Sequence, residues 1–205
     1  MQALGGTQAT LIGTVWPTGA NSAIRAVVLM VVGTVLLWLS AKIQVPLYPV
    51  PVTMQTLVVL TLGVAYGWKL GGATMLLYLA EGAIGLPVFA GGWGEGGGVQ
   101  HLYGPTAGYL VGFVVAAAVC GHLAERGWDR SLVLAGAAMV VGNLIIYALG
   151  VTWLAAQIGW MSAFKFGLFP FLIGDALKIV LGASLLPLAW KVLGNRQGSA
   201  ADGHG

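Results

Sequence analysis

Six apolar stretches, separated by shorter segments rich in glycine, proline or charge, dominate the pattern of this 205-residue chain. A helix needs roughly 20 apolar residues to cross a bilayer, and four of the stretches approach or reach that length. The pattern predicts an all-α integral membrane protein with one six-helix domain over residues 22–193, an N-terminal tail over 1–21 and a disordered C-terminal tail over 194–205. The six predicted spans are 22–40, 53–66, 70–83, 105–122, 131–150 and 168–190.

Composition supports this interpretation. Hydrophobic residues make up 58% of the chain and charged residues only 7%, whereas soluble domains carry roughly 25% charged residues. The few charges form no basic stripe, so composition gives no indication of nucleic-acid binding. The first twenty residues contain neither Lys nor Arg, and we therefore expect an N-terminus that is retained and not cleaved as a secretory signal.

The distribution of Lys and Arg predicts the orientation in the membrane. Positive charges favour the cytoplasmic side of a bilayer. Two of them, Lys42 and Lys165, fall on the side away from the termini, and six fall on the side of the termini. We therefore expect both termini in the cytoplasm. The six are Arg25, Lys69, Arg126, Arg130, Lys191 and Arg196.

An acid and a base lie inside the last span. Asp175 and Lys178 are three residues apart, so on a helix they project from one face. Counted from Pro170, they lie about 8 Å and about 12 Å into that helix. Charges at membrane depth are costly and commonly functional. Two interpretations stay open: a buried ion pair that joins two helices, or a polar pocket in which Asp175 accepts and Lys178 donates hydrogen bonds to a small ligand.

Two loops on the predicted outer side have unusual composition. Pro46, Pro49 and Pro51 fall within six residues, which favours extended backbone and excludes a helix. This apolar loop is either an interfacial anchor or a lid over a cavity. The Gly-rich run near residues 91–98 is either a flexible loop or a source of backbone N–H groups close to a ligand.

Two further features concern the helices themselves. Small residues recur every fourth position from Gly104 to Cys120, which suits close packing of helices within the bundle or docking of another subunit. Asn143, near the centre of the fifth span, either forms an interhelical hydrogen bond or lines the pocket. We predict a loop with Trp153, Gln157 and Trp160 after this span.

Enzyme motifs are missing from the sequence. It contains no G-x-S-x-G nucleophile motif and no H-E-x-x-H metal motif. It also lacks the G-x-x-x-x-G-K-[ST] loop that binds nucleotide phosphates. We expect neither an enzyme nor a metal site, and any ATP-driven step would need other subunits.

Five strings in order resemble one family of membrane proteins. PVPVTMQTLVVL, LLYLAEGAIGLPVFAGG, GPTAGYLVGF, LIIYALGVTWLA and PFLIGDALK, between about residues 40 and 185, look like the BioY family. Its members are the biotin-specific S components of energy-coupling factor (ECF) transporters. The resemblance implies a six-helix S-component fold with biotin bound near the outer face, and no cofactor, since biotin is the substrate. It also implies multi-pass insertion in the inner membrane of a prokaryotic cell.

The same resemblance implies roles for named residues. Asp175 and Lys178 would contact the ureido ring, and Gln55, Gly91 and Gly92 match positions that approach the ligand. Tyr48 and Leu47 in the proline-rich loop are candidates for the apolar wall, because the bicycle and valeryl chain of biotin require a mostly hydrophobic cavity.

The expected partners are a membrane T subunit and two ATPase subunits. Ser22 and Ala26 on the first helix are the best match to the small-residue docking pattern, although the chain departs from an AxxxA repeat because Met30 follows. The alternatives to a biotin S component are an S component for another vitamin or a solitary secondary biotin transporter.

Overall fold

The computed structural model describes residues 9–17, 22–91 and 96–202. Within these ranges the chain forms eight α-helices, one short β-hairpin and two 3-10 turns, at Val99–Leu102 and Trp128–Arg130. The strands are β1 (Gln44–Val45) and β2 (Val52–Thr53). The helices are α1 (Leu11–Val15), α2 (Ser22–Lys42), α3 (Gln55–Tyr66), α4 (Trp68–Ala83), α5 (Ala107–Ala124), α6 (Leu132–Ile158), α7 (Trp160–Gly167) and α8 (Phe169–Asp202).

Each of the six predicted spans coincides with one helix, namely α2 to α6 and α8. Four of these, α2, α5, α6 and α8, are long and apolar enough to cross a membrane. The helix α3 has 12 residues and α4 has 16, so at 1.5 Å per residue they reach about 18 Å and about 24 Å. Both are shorter than the roughly 30 Å hydrocarbon core of a typical bilayer.

The predicted loop after the fifth span is wrong. The helix α6 continues to Ile158, so Trp153 and Gln157 lie on it, and Trp160 is the first residue of α7. The stretch VTWLAAQI has no helix breaker, and the helix ends only at Gly159, whose φ of 81° suits glycine. Helix length here is set by the position of the next glycine and not by the end of the strongly apolar run.

Helices are also present near both ends of the described chain. In the N-terminal segment, α1 begins at Leu11, which is buried, and the Oγ1 of Thr10 accepts a hydrogen bond from the Gly13 backbone N–H. At the other end, α8 ends at Asp202, and the disordered tail over residues 194–205 stays a prediction.

Helix α5 lies at the centre of the bundle and packs against α3, α4 and α6. A Cβ atom added at Gly112 would lie 2.9 Å from the Cα of Ile146, and one at Gly63 would lie 2.6 Å from the carbonyl oxygen of Ala117. The backbones therefore approach too closely for larger residues. The small-residue ridge of α5 is used, at Gly112, for packing inside the bundle.

The proline-rich segment forms the hairpin. Strands β1 and β2 pair antiparallel, with Gln44 opposite Thr53 and Val45 opposite Val52. The backbone is extended, as the prolines predict, and residues 46–51 form the connecting loop. The hairpin therefore joins α2 to α3 and carries the residues Pro49 to Pro51 toward the interior of the bundle.

Candidate functional site

A cavity of about 360 Å³ lies beneath the hairpin loop, among α3, α5, α6 and α8. Small-molecule sites typically measure roughly 300 to 1,000 Å³, so this cavity suits a compact ligand. Most of its lining is apolar, with a few polar groups. The lining residues are Pro49, Val50, Pro51, Thr53, Gln55, Thr56, Phe89, Ala90, Gln100, His101, Gly104, Pro105, Thr106, Tyr109, Leu110, Phe113, Ile146, Tyr147, Phe171 and Asp175.

Asp175 forms the polar end of the cavity. Its side chain is 2% exposed, and its carboxylate accepts four hydrogen bonds. Oδ1 accepts from the Oγ1 of Thr56 at 2.8 Å and from the Nζ of Lys178 at 2.7 Å. Oδ2 accepts from the hydroxyl of Tyr147 at 2.5 Å and from the Nδ2 of Asn143 at 3.3 Å. These donors come from α3, α6 and α8, so the carboxylate joins three helices and is held in one orientation.

Lys178 lies behind Asp175 and does not line the cavity. Its Nζ donates to the carbonyl oxygen of Thr53 at 2.7 Å, to the Oγ1 of Thr56 at 3.1 Å and to Asp175 at 2.7 Å. An ammonium group has three donors, and all three are used. The two interpretations of the Asp175–Lys178 pair therefore combine: the pair joins α8 to α3, and its carboxylate member faces the cavity.

Asn143 lies beside this network. It is 5% exposed, and its Nδ2 donates to Asp175. Its Oδ1 is buried and has no hydrogen-bond partner among the described residues. A buried unpaired acceptor costs about 1–3 kcal/mol. The interhelical hydrogen bond predicted for Asn143 is present, whereas Asn143 is not among the described residues that line the cavity.

Gln55 lines the cavity at the first residue of α3. Its Nε2 donates to the hydroxyl of Tyr78 at 2.7 Å, and that hydroxyl donates to the carbonyl oxygen of Val88 at 2.7 Å. The two hydrogen bonds connect α3, α4 and the segment after α4. They fix the Gln55 amide and leave its Oε1 to accept from Thr53 at 3.3 Å.

Three further predicted residues, Leu47, Tyr48 and Gly91, do not line the cavity. Tyr48 is 91% exposed and does not line it; the neighbouring Pro49, Val50 and Pro51 line it instead. Leu47 is also exposed. The carbonyl oxygen of Gly91 accepts from the Nε2 of Gln44 at 2.9 Å, which ties the Gly-rich segment to β1. Gly92 lies outside the described residues.

The predicted docking residues lie at the start of α2. Ser22 is exposed and Ala26 is partly exposed. The same helix presents further exposed apolar side chains, among them Ile24, Val27 and Val31. This surface is compatible with contact to lipid or to a membrane partner.

Several lining residues were not predicted. Tyr147 lies four residues after Asn143, so the helical period places the two on one face of α6, and that spacing is the signal that sequence reasoning missed. Thr56 and Asp175 are 119 residues apart in sequence, and no local pattern indicates their contact. His101, on the 3-10 turn before α5, also lines the cavity.

Apolar helices around a mostly apolar cavity with a polar end define a helical membrane protein with a candidate small-molecule site. Comparison with known proteins gives the family: the BioY family model matches residues 11–195. This chain belongs to the BioY family.

Similar proteins cover most of the chain. It is 38% identical over 155 residues to a probable biotin transporter BioY of Pyrococcus horikoshii, covering 76% of this chain and 88% of the relative. It is 41% identical over 161 residues to a biotin transporter BioY of Thermotoga maritima, covering 78% and 92%. The fold resembles the crystal structure of the S component for biotin from an ECF-type ABC transporter. The TM-score is 0.68 at 23% identity, and the match covers 85% of this chain and 95% of that chain.

Proposed function

We propose that this protein is the membrane subunit that captures biotin for an uptake transporter. The observation that carries the proposal is the cavity of about 360 Å³ with the Asp175 carboxylate at one end, in a chain of the BioY family. Its relatives are transporters and its fold is that of an S component. The protein is therefore a transport protein and not an enzyme, and biotin is its substrate and not a cofactor.

The polar end of the cavity suits the ureido ring of biotin. A cyclic urea has two N–H donors and one carbonyl acceptor. Asp175 supplies the acceptors for the two N–H groups. The hydroxyls of Tyr147 and Thr56 also line the cavity, but each donates its one proton to Asp175 and would have to release that bond to donate to the ring. Lys178 reaches the ring only by releasing one of its three hydrogen bonds. We therefore assign Lys178 first to positioning Asp175.

The apolar wall suits the remainder of the ligand. Phe113, Ile146 and Phe171 line the cavity beyond Asp175, and such a surface favours the bicycle and the valeryl chain. The hairpin loop at Pro49 to Pro51 would act as the lid. Gln55 would contact the ligand from α3, and Gly91 would approach it only if the segment around it moves toward the cavity. The role proposed for Gly92 rests on the family resemblance alone.

The proposal extends to topology and partners. Six helices would cross the bilayer, with both termini in the cytoplasm of a prokaryotic cell, as the six-to-two distribution of Lys and Arg favours. The two short helices α3 and α4 would cross with the loops that extend them. Concentrative uptake would need a T subunit and two ATPase subunits, since the sequence has no phosphate-binding loop. The T subunit would contact α2 near Ser22 and Ala26.

Retention of radiolabelled biotin by the purified protein tests the capture function. We expect unlabelled biotin to compete and thiamin and riboflavin not to compete. Asp175→Asn should weaken biotin binding by about 1–3 kcal/mol, because it replaces an acceptor-only carboxylate with an amide. Competition by another vitamin instead of biotin would indicate an S component for that vitamin.

Reconstitution in liposomes tests the need for partners. The protein alone should bind biotin, and accumulation against a gradient should need the partner subunits and ATP. Accumulation by the single chain under an imposed proton gradient would indicate a solitary secondary transporter.

A further inference from the structure

Charge is distributed unevenly over the cavity. Among the described lining residues, Asp175 is the one carboxylate and His101 is the one residue with a basic side chain. Asp175 lies on α8, whereas His101 lies on the 3-10 turn Val99–Leu102 that precedes α5. The cavity therefore has a carboxylate on one element and an imidazole on another, and the two groups make different demands on a ligand.

A ligand with an acid group cannot place it beside Asp175. Two carboxylates in contact repel each other strongly at the low dielectric of a protein interior. Lys178 offsets part of the Asp175 charge, but it offers no donor to a second carboxylate, because it does not line the cavity and its three donors are used by Thr53, Thr56 and Asp175. An acid group on the ligand needs an N–H donor elsewhere in the wall.

The His101 ring is available for that purpose. Its Nδ1 is buried and has no hydrogen-bond partner among the described residues. The ring packs against Phe89, with ring centroids 5.9 Å apart, and the Phe89 carbonyl oxygen accepts from the Nζ of Lys42 at 3.0 Å. The imidazole is thus supported on one side by a segment attached to α2, while no described acceptor at Nδ1 fixes its tautomer.

The neighbouring polar side chain is less suited to an anion. Gln100 also lines the cavity, but its Nε2 already donates to the carbonyl oxygen of Gly97 at 3.1 Å. An imidazole carries an N–H donor in both its neutral and its charged form. Because the Nδ1 atom itself is buried, a carboxylate in the cavity would meet the ring at its other nitrogen, Nε2, and no hydrogen bond at Nδ1 would have to be released.

We propose that His101 is the residue that selects for the acid group of the ligand, by donating an imidazole N–H to its carboxylate. The chemical class that fits the whole cavity is a neutral hydrogen-bonding ring at Asp175, an apolar middle and a carboxylate at His101. This inference rests on the proposed function and adds a specificity that the function alone does not require: the free acid is preferred to its amide or ester.

Competition between biotin and biotin amide tests the inference. The affinities of both compounds are measured by equilibrium binding to the parent, to His101→Ala and to His122→Ala. His122 is exposed at the last turn of α5 and does not line the cavity, so its variant is a control for the same residue type. Thermal melting of each ligand-free variant checks that it is folded.

We expect the parent to bind biotin about tenfold or more tightly than the amide, as the loss of a hydrogen bond to a charged group predicts. His101→Ala should lower the affinity for biotin by a similar factor and leave the affinity for the amide within about twofold, so that the preference disappears. His122→Ala should bind as the parent does.

The failures are distinguishable. A parent that binds biotin and keeps its preference for the acid in His101→Ala would overturn the role of His101 and leave the proposed function standing. Equal loss of both ligands in a folded His101→Ala would also overturn it, since the residue would then be structural. A parent that binds neither compound would contradict the proposed function and the inference together.

Discussion

The buried pair of Asp175 and Lys178 gives the sharpest energetic prediction. Lys178→Met keeps most of the side-chain length but removes an ammonium that donates to Thr53, Thr56 and Asp175. The Asp175 carboxylate, 2% exposed, then keeps three donors and no counter-charge. Breaking a buried ion pair by removing one partner costs about 3–5 kcal/mol.

Asp175→Asn should lower the unfolding free energy by a comparable amount, in this case by removing the negative member of the pair. The amide NH₂ would face existing donors, either Lys178 and Thr56 or Asn143 and Tyr147, and Lys178 would lose its counter-charge. The double variant removes both charges at once. We therefore expect its loss of unfolding free energy to be smaller than the sum of the single losses by at least about 1.5 kcal/mol.

A double-mutant cycle on the ligand-free protein measures this coupling. Unfolding is followed in one detergent by denaturant titration of the parent, the two single variants and the double variant. The matched control pairs Lys178→Met with Ser184→Ala, since Ser184 is exposed on the same helix and bonds only within it, to the Val180 carbonyl oxygen. In the control pair the two losses of unfolding free energy should simply add. If the losses for Asp175 and Lys178 also add, the two groups do not act as one buried unit and the reasoning is refuted.

Three further predictions concern packing, pH and topology. Gly112→Ala should lower the unfolding free energy by about 1–3 kcal/mol, because its Cβ would meet the Ile146 backbone at 2.9 Å. The control is Gly136→Ala, whose Cβ would lie 3.7 Å from that of Ala183 and which should be nearly neutral. Equal melting temperatures of the two variants would contradict the close approach. Burial raises the pKa of Asp129, in the turn before α6, although Trp190 donates to its Oδ2 at 2.6 Å. The contribution of Asp129 to stability is therefore present below its pKa in the unfolded chain and is lost as pH rises through its pKa in the folded protein. Between about pH 4 and pH 7 the melting temperature should decline less in Asp129→Asn than in the parent, and an identical decline would be evidence against this. A cysteine replacing Tyr103, which is 72% exposed, should react with an impermeant reagent from outside the cell and one replacing Ser199 should not, and the reverse pattern would overturn the orientation.

Sequence pattern predicted the helices better than their ends. The six apolar spans correspond to helices because hydrophobic length is a property of one continuous segment. The extension of α6 to Ile158 was missed because hydropathy weakens before the helix ends at Gly159. The hairpin of Gln44–Val45 with Val52–Thr53 was missed for a different reason: two residues per strand carry no alternation that sequence could show.

The site was predictable only in part. Asp175 and Lys178 stand out because charges are costly inside an apolar span, and Gln55 was reached through the family resemblance. Sequence could not predict that Asp175 lines the cavity while Lys178 lies behind it. This arrangement depends on hydrogen bonds from Lys178 to Thr53 and Thr56, which lie 125 and 122 residues away in sequence. The exposure of Tyr48 depends likewise on how the hairpin loop turns over the bundle.

The central claim is that biotin occupies the cavity beside Asp175. Determining the structure of the purified protein with biotin bound tests it most directly. The account predicts density for the ligand between the hairpin loop and α8, with a ureido nitrogen within hydrogen-bond distance of the Asp175 carboxylate, at about 2.7–3.2 Å. Biotin bound outside this cavity, or with its ureido ring away from Asp175, would contradict the account.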